Sequence, residues 1–191
     1  MKCFGGITGI KGVGDIEALR AMRGAMRIFA GEDWRADLYG GTSFLFGGFE
    51  QPMELCRDGG TRAALMLLGS LSNKEELCEL YSASERESDA GVFLKGYMTE
   101  GIGILIRARG SFAVSVYDSR AGRVLLYRSP MAGERIFYRA DGKRTVFATA
   151  FSALRAVDGI GEILELGGGE ALIIEENGGE CRPSAVALND K

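Results

Sequence analysis

The stretch Gly110-Ser111-Phe112-Ala113-Val114-Ser115-Val116-Tyr117-Asp118 decides the fold class, because Phe112, Val114 and Val116 alternate with Ser111, Ala113, Ser115 and Tyr117. A period of two is the signature of a strand, since successive side chains leave a pleated backbone on opposite faces. Reading onward, Asp118 to Gly122 is a turn, Val124 to Tyr127 a second strand and Ile136 to Tyr138 a third. Asp141-Gly142 is a hairpin signal and Thr145 to Ala148 a fourth strand. Together they predict an antiparallel meander.

Helices and further strands lie on both sides of this run. Toward the C-terminus, Ser152 to Val157 predicts a short helix. Gly167-Gly168-Gly169 then leads into Ala171 to Ile174, read as a last strand closed by Glu175-Glu176-Asn177-Gly178. Toward the N-terminus, Ser88 or Asp89 can start a helix carrying Val92, Phe93 and Tyr97. Arg62 to Leu68 is a strand followed by Asn73-Lys74-Glu75-Glu76, an N-cap with Glu at the third helical position. Trp34 to Gly48, rich in aromatics and glycine, suits a twisted strand pair or a close backbone approach more than a helix. Ile16, Leu19, Met22 and Met26 recur at helical spacing after Asp15, predicting a helix over 16–28 capped by Asp15, with Arg20, Arg23 and Arg27 facing water. Cys3 to Thr8 is a short first strand. All three prolines fall in predicted loops, no repeat or long linker interrupts the chain, and residues 1–191 read as one α+β domain.

Composition narrows the chemistry. A chain of 191 residues can bury roughly 70% of the surface its unfolded form exposes, so one sizeable core is expected. The net charge is -3 and the 23 Lys and Arg are scattered along the sequence, which argues against nucleic acid as a partner. No apolar stretch approaches the about 20 residues that span a bilayer, and the start lacks a signal-peptide pattern, so neither a membrane nor secretion is expected and the location expected is cytoplasmic. Cys3, Cys56, Cys78 and Cys181 form no CxxC pair, so reduced thiols are expected, with no disulfide framework and no metal site. No phosphate-loop pattern fits Gly9 to Gly14 or Gly167 to Gly169, and no cofactor is called for.

The decisive absence is histidine, of which there is none. The Ser-His-Asp triad, the Cys-His dyad and every imidazole base are thereby excluded. A cysteine nucleophile then needs another proton acceptor. A free α-amine, with a pKa of about 7.7 to 8.0, serves that purpose when the nucleophile opens the chain. Cys3 is the one residue whose position suits this.

Cys3-Phe4-Gly5-Gly6-Ile7-Thr8-Gly9-Ile10 resembles the opening of class II glutamine amidotransferases. Leu67 to Asn73 with its capped helix is similar to that family's Asn-Gly-Glu-Ile-Tyr-Asn segment, and Ser88-Asp89-Ala90-Gly91-Val92 to its Ser-Asp-Thr-Glu-Val. Residues 109–154, from Arg109-Gly110-Ser111-Phe112 through Phe147-Ala148-Thr149 to Ala153-Leu154, resemble the glutaminase domain of asparagine synthetase. The resemblance implies an N-terminal-nucleophile fold, an αββα four-layer sandwich with two antiparallel sheets between helices.

The same resemblance implies site roles. Cys3 would attack the glutamine side-chain amide, the backbone of Gly69 would donate to the oxyanion, and Asp89 would hold the substrate's α-amino group. Three departures bear on this. Lys2 precedes Cys3, so the nitrogen of Cys3 is an amide unless Met1 and Lys2 are cut away. Leu68 stands where the oxyanion asparagine is expected, a loss worth on the order of a hundredfold in rate. Thr42 to Gly48, aligned with the substrate-carboxylate arginine, contains none, which leaves Arg35 or Arg57 to substitute. Two classes of function follow. One is a free-standing glutaminase subunit feeding ammonia to a separate ATP-dependent synthetase. The other, favoured by the departures, is a degenerate member acting as a scaffold or binding subunit for a synthetase-type partner, for glutamine or for another small ligand admitted by Phe44, Phe46 and Leu68.

Overall fold

The computed structural model describes residues 2–9, 13–30, 34–39, 42–47, 56–57, 63–159, 161–177 and 180–188. Within them the strands are β1 (Cys3–Thr8), β2 (Trp34–Tyr39), β3 (Thr42–Gly47), β4 (Cys56–Arg57), β5 (Ala63–Leu71), β6 (Gly110–Asp118), β7 (Arg123–Arg128), β8 (Phe137–Ala140), β9 (Thr145–Ala148), β10 (Leu164–Glu165), β11 (Glu170–Asn177) and β12 (Glu180–Ala187). The helices are α1 (Val13–Ala30), α2 (Lys74–Leu80), α3 (Asp89–Glu100), α4 (Ile104–Arg107) and α5 (Phe151–Arg155).

The strands form two six-stranded sheets, ordered β10-β8-β9-β1-β3-β2 and β12-β11-β7-β6-β5-β4, with antiparallel pairing throughout. Pleat alternation sorts the core into three layers. Phe4, Phe44, Phe46, Ala64, Met66, Leu68, Leu126 and Phe147 meet between the sheets. Cys3, Ile7, Leu45, Val146 and Ala148, on the opposite faces of the first sheet, pack with Met22 and Met26 of α1 and Leu154 of α5. Leu65, Phe112, Val114, Val116 and Leu125 pack against Leu77, Phe93 and Leu105 of α2, α3 and α4. The result is helices, sheet, sheet, helices, as expected from the resemblance.

The first strand is as read, the segment read from Trp34 onward holds the strand pair β2 and β3 over its described residues 34–39 and 42–47, and Ser88 caps α3, its Oγ accepting from Gly91 N at 3.0 Å. Three expectations need correction. The meander is divided: β6 and β7 belong to one sheet and β8 and β9 to the other, so the chain crosses layers between Arg128 and Phe137. The first helix begins at Val13, so Asp15 lies inside it. Asp15 Oδ1 accepts from Arg144 Nη1 at 3.0 Å. Asn73 is the N-cap residue of α2 with Glu76 at the third helical position, as read, and its side chain reaches past the helix: Oδ1 accepts from Arg109 N at 2.9 Å and Nδ2 donates to the Arg107 carbonyl at 3.0 Å, tying α2 to the end of α4. The last strand is β12, not 171–174, and Pro183 sits in it opposite Ile174; an edge strand tolerates the missing donor. Among the described residues no helix is long and apolar enough to cross a membrane.

A candidate ligand cavity between the sheets

A cavity of about 430 Å³ opens between Lys2 just before β1, Leu68 and Gly69 toward the end of β5, the layer crossover (Gly133, Glu134, Arg135) and Thr149 just beyond β9. Thr149 is held to the first strand in three ways. Phe4 N donates to Thr149 Oγ1 at 3.1 Å, while the Thr149 hydroxyl and backbone N–H both donate to the Phe4 carbonyl, at 3.2 and 2.9 Å. This wall is therefore rigid.

Its charges are unevenly engaged. Arg135 Nε donates to Glu165 Oε1 at 2.8 Å and its Nη2 to Glu165 Oε2, with Arg128 Nη1 on the same carboxylate at 3.0 Å. The paired guanidiniums, Arg135 foremost, hold the Glu165 carboxyl below its ordinary range. Glu134 Oε2, by contrast, is buried with no hydrogen-bond partner among the described residues. A ligand donor entering the cavity would find it.

The three residues singled out from the sequence are not gathered on this wall. Gly69 is there, in a left-handed conformation with φ +94°. Cys3 is not. The strand's alternation turns Lys2 toward the cavity and Phe4 between the sheets, and sends Cys3 to the other face, where it is 1% exposed and packed in the layer under α1. Its Sγ lies 3.8 Å from the Gly47 carbonyl oxygen across the strand pair. Asp89 is committed elsewhere: Oδ2 accepts from Leu71 N at 2.8 Å, and Lys74 Nζ lies 3.8 Å from Oδ1, so the carboxylate secures the end of β5. Arg35 is exposed on β2 opposite Phe46 and does not line the cavity, and the side chain of Arg57 lies outside the described residues. Phe44 and Phe46 are core; of the three apolar residues only Leu68 reaches the cavity. Alternation along β1 could have predicted Lys2 as a wall residue; Glu134 and Thr149 arrive from distant segments with no sequence signal.

Burial pushes the Cys3 thiol up to about 11. At neutral pH about one thiol in ten thousand is ionised, which is poor for a nucleophile. The shift also has a stability consequence. The folded state holds the proton more tightly than the unfolded chain, so the stabilisation is fully present below about pH 8.5 and is lost as pH rises through 9 toward 11. Urea unfolding from about pH 8 to about pH 10.5 should show a decline of roughly 2 kcal/mol that is absent from Cys3→Ala. Parallel declines in the two proteins would refute it.

Comparison with known proteins agrees with this architecture. The sequence profile of a family described as "Glutamine amidotransferase domain" matches residues 45–156, a span that includes Gly69 and Asp89. The fold is similar to glutamine phosphoribosylpyrophosphate amidotransferase from B. subtilis, solved with ADP and GMP, at 16% identity and a TM-score of 0.69, covering 99% of this chain and 50% of that one. It is also similar to a structure described as the allosteric regulatory enzyme of purine biosynthesis, at 15% identity and a TM-score of 0.71, with the same coverages of 99% and 50%. The chain thus spans about half the length of these solved chains. No curated protein matches it significantly.

Proposed function

This chain belongs to the glutamine amidotransferase domain family, and from that premise we propose that residues 1–191 act as one class II amidotransferase domain that has kept the sandwich and its cavity but does not hydrolyse glutamine. A single observation carries the reading: Lys2, not Cys3, faces the cavity, while Cys3 is sealed under α1. Because Lys2 precedes it, the nitrogen of Cys3 is an amide and cannot relay a proton. The Leu68 side chain offers no oxyanion donor, and Asp89 already accepts from Leu71. Within the family, the segments over 67–73, 88–92 and 109–154 favour the glutaminase domain of asparagine synthetase as the nearest kind. A domain of that kind would bind a small ligand in the cavity and dock on a synthetase-type protein.

The test is glutamate release from glutamine, comparing wild type with Cys3→Ala. Equal background rates are expected, and Cys3-dependent release would overturn the reading. A second reading is favoured by Lys2 itself being a cavity wall: cleavage after Lys2 would enlarge the cavity and free the α-amine of Cys3. Intact-mass measurement separates the two, since the first expects Lys2 retained and the second expects a chain beginning at Cys3 whose turnover is lost in Cys3→Ala.

A further inference from the structure

The segment Arg20-Ala21-Met22-Arg23-Gly24-Ala25-Met26-Arg27 contains three cations and no acid. At 3.6 residues per turn its arginines fall within about 60° of one another around the helix, while Met22 and Met26, 0% exposed, define the buried side. Scattered as the basic residues are in sequence, α1 thus gathers three of them on one exposed face of a chain whose net charge is -3. Like charges at three- and four-residue spacing destabilise a helix. Nothing among the described residues pairs with Arg20 or Arg23 to offset this.

These arginines do not point into open solvent alone. With Gly24 and Trp34 they line a cavity of about 360 Å³, separate from the one between the sheets. Gly24 contributes room: a Cβ there would meet nothing within 4 Å. Trp34 opens the edge strand β2, and its ring is pressed on the backbone of Gly47, whose hypothetical Cβ would come within 2.6 Å of Trp34 Cδ2. A fixed aromatic surface beside three planar guanidiniums has a specific complement. Guanidinium forks match phosphate oxygens in pairs, and an indole offers a planar ring something to lie against.

We infer that the groove between α1 and β2 is a binding site for a phosphorylated small molecule, its phosphate held by Arg20, Arg23 and Arg27 and any planar ring it bears set against Trp34. The site is independent of the amidotransferase cavity and of whether glutamine is hydrolysed. Anion binding here would remove the like-charge penalty on α1 and stiffen the helix that covers Cys3.

Trp34 is the only tryptophan of the chain, so its fluorescence reports on this groove alone. Titration of the full chain with pyrophosphate, ATP and adenosine should give a saturable emission change with the first two and none with adenosine. Pyrophosphate and ATP binding equally would assign affinity to the phosphates, and tighter ATP binding would add a role for the ring. In Arg20→Gln/Arg23→Gln, which leaves the packed face of α1 intact and should melt at or slightly above wild type because the like-charge penalty is relieved, the dissociation constant should rise about tenfold or more. Added salt should weaken the wild type in the same direction. No saturable change with either phosphate compound, an unchanged constant in the double variant, or an equal response to adenosine would overturn the assignment.

Discussion

Replacing Gly69 by alanine is expected to destabilise the protein by about 3 kcal/mol, lowering the midpoint of thermal unfolding by roughly 10 °C. Two independent costs add. The backbone holds φ at +94°, a region that penalises any side chain, and a Cβ at this position would lie 2.0 Å from the Ser111 carbonyl oxygen and 2.9 Å from Phe112 Cα. The opposing atoms are backbone of the paired strand β6, in register Gly69↔Phe112, so they cannot step aside without disturbing the β5–β6 ladder. Because Gly69 is also a wall of the central cavity, the same change should weaken any ligand that binds there. Gly24→Ala is the matched control: it is exposed, helical and unobstructed, so its midpoint should stay or rise slightly. Similar melts for the two alanine variants would show that the close approach at Gly69 does not exist.

The second large effect concerns the layer between the sheets. Phe147→Ala should cost about 4 kcal/mol, a major share of the stability of a typical domain. Phe147 is fully buried, lies edge to face with Phe44 at a centroid distance of 5.8 Å, and presses its ring tip on Gly6, whose Cβ would sit 2.5 Å from Phe147 Cζ. That fit predicts coupling. Gly6→Ala alone should destabilise by overpacking, whereas in the Phe147→Ala background its cost should fall without vanishing, because the methyl is then freed of the ring but still meets the Ser43 carbonyl oxygen at 2.7 Å. Chemical denaturation of the two single variants and the double variant measures this directly. Strict additivity would mean that the ring does not pack on Gly6.

Which elements were legible follows from how local their causes are. The strand over 112–116 was readable because alternation is a property of neighbouring residues, and those over 3–8 and 145–148 because short apolar runs lie next to glycine or turn signals. α3 was readable because Ser88 supplies a local cap. α4, four residues long, and β12, polar and carrying Pro183, lack such a signal; β12 exists because β11 offers it a ladder. The division of the meander was illegible for another reason. The link from Arg128 to Phe137 can turn back within one sheet or step to the other, and the choice depends on which faces must be covered.

The candidate site divides in the same way. The sequence by itself determined that no imidazole chemistry is available, that Lys2 precedes Cys3, that position 68 is leucine and that residues 42–48 contain no arginine, since these are matters of composition and order. Only the tertiary structure decided which of the named residues meet. It placed Lys2, Gly69, Glu134 and Thr149 around one cavity, turned Cys3 beneath α1, and engaged Asp89 with Leu71, because side-chain direction in a packed sheet is set by which face each neighbouring layer buries.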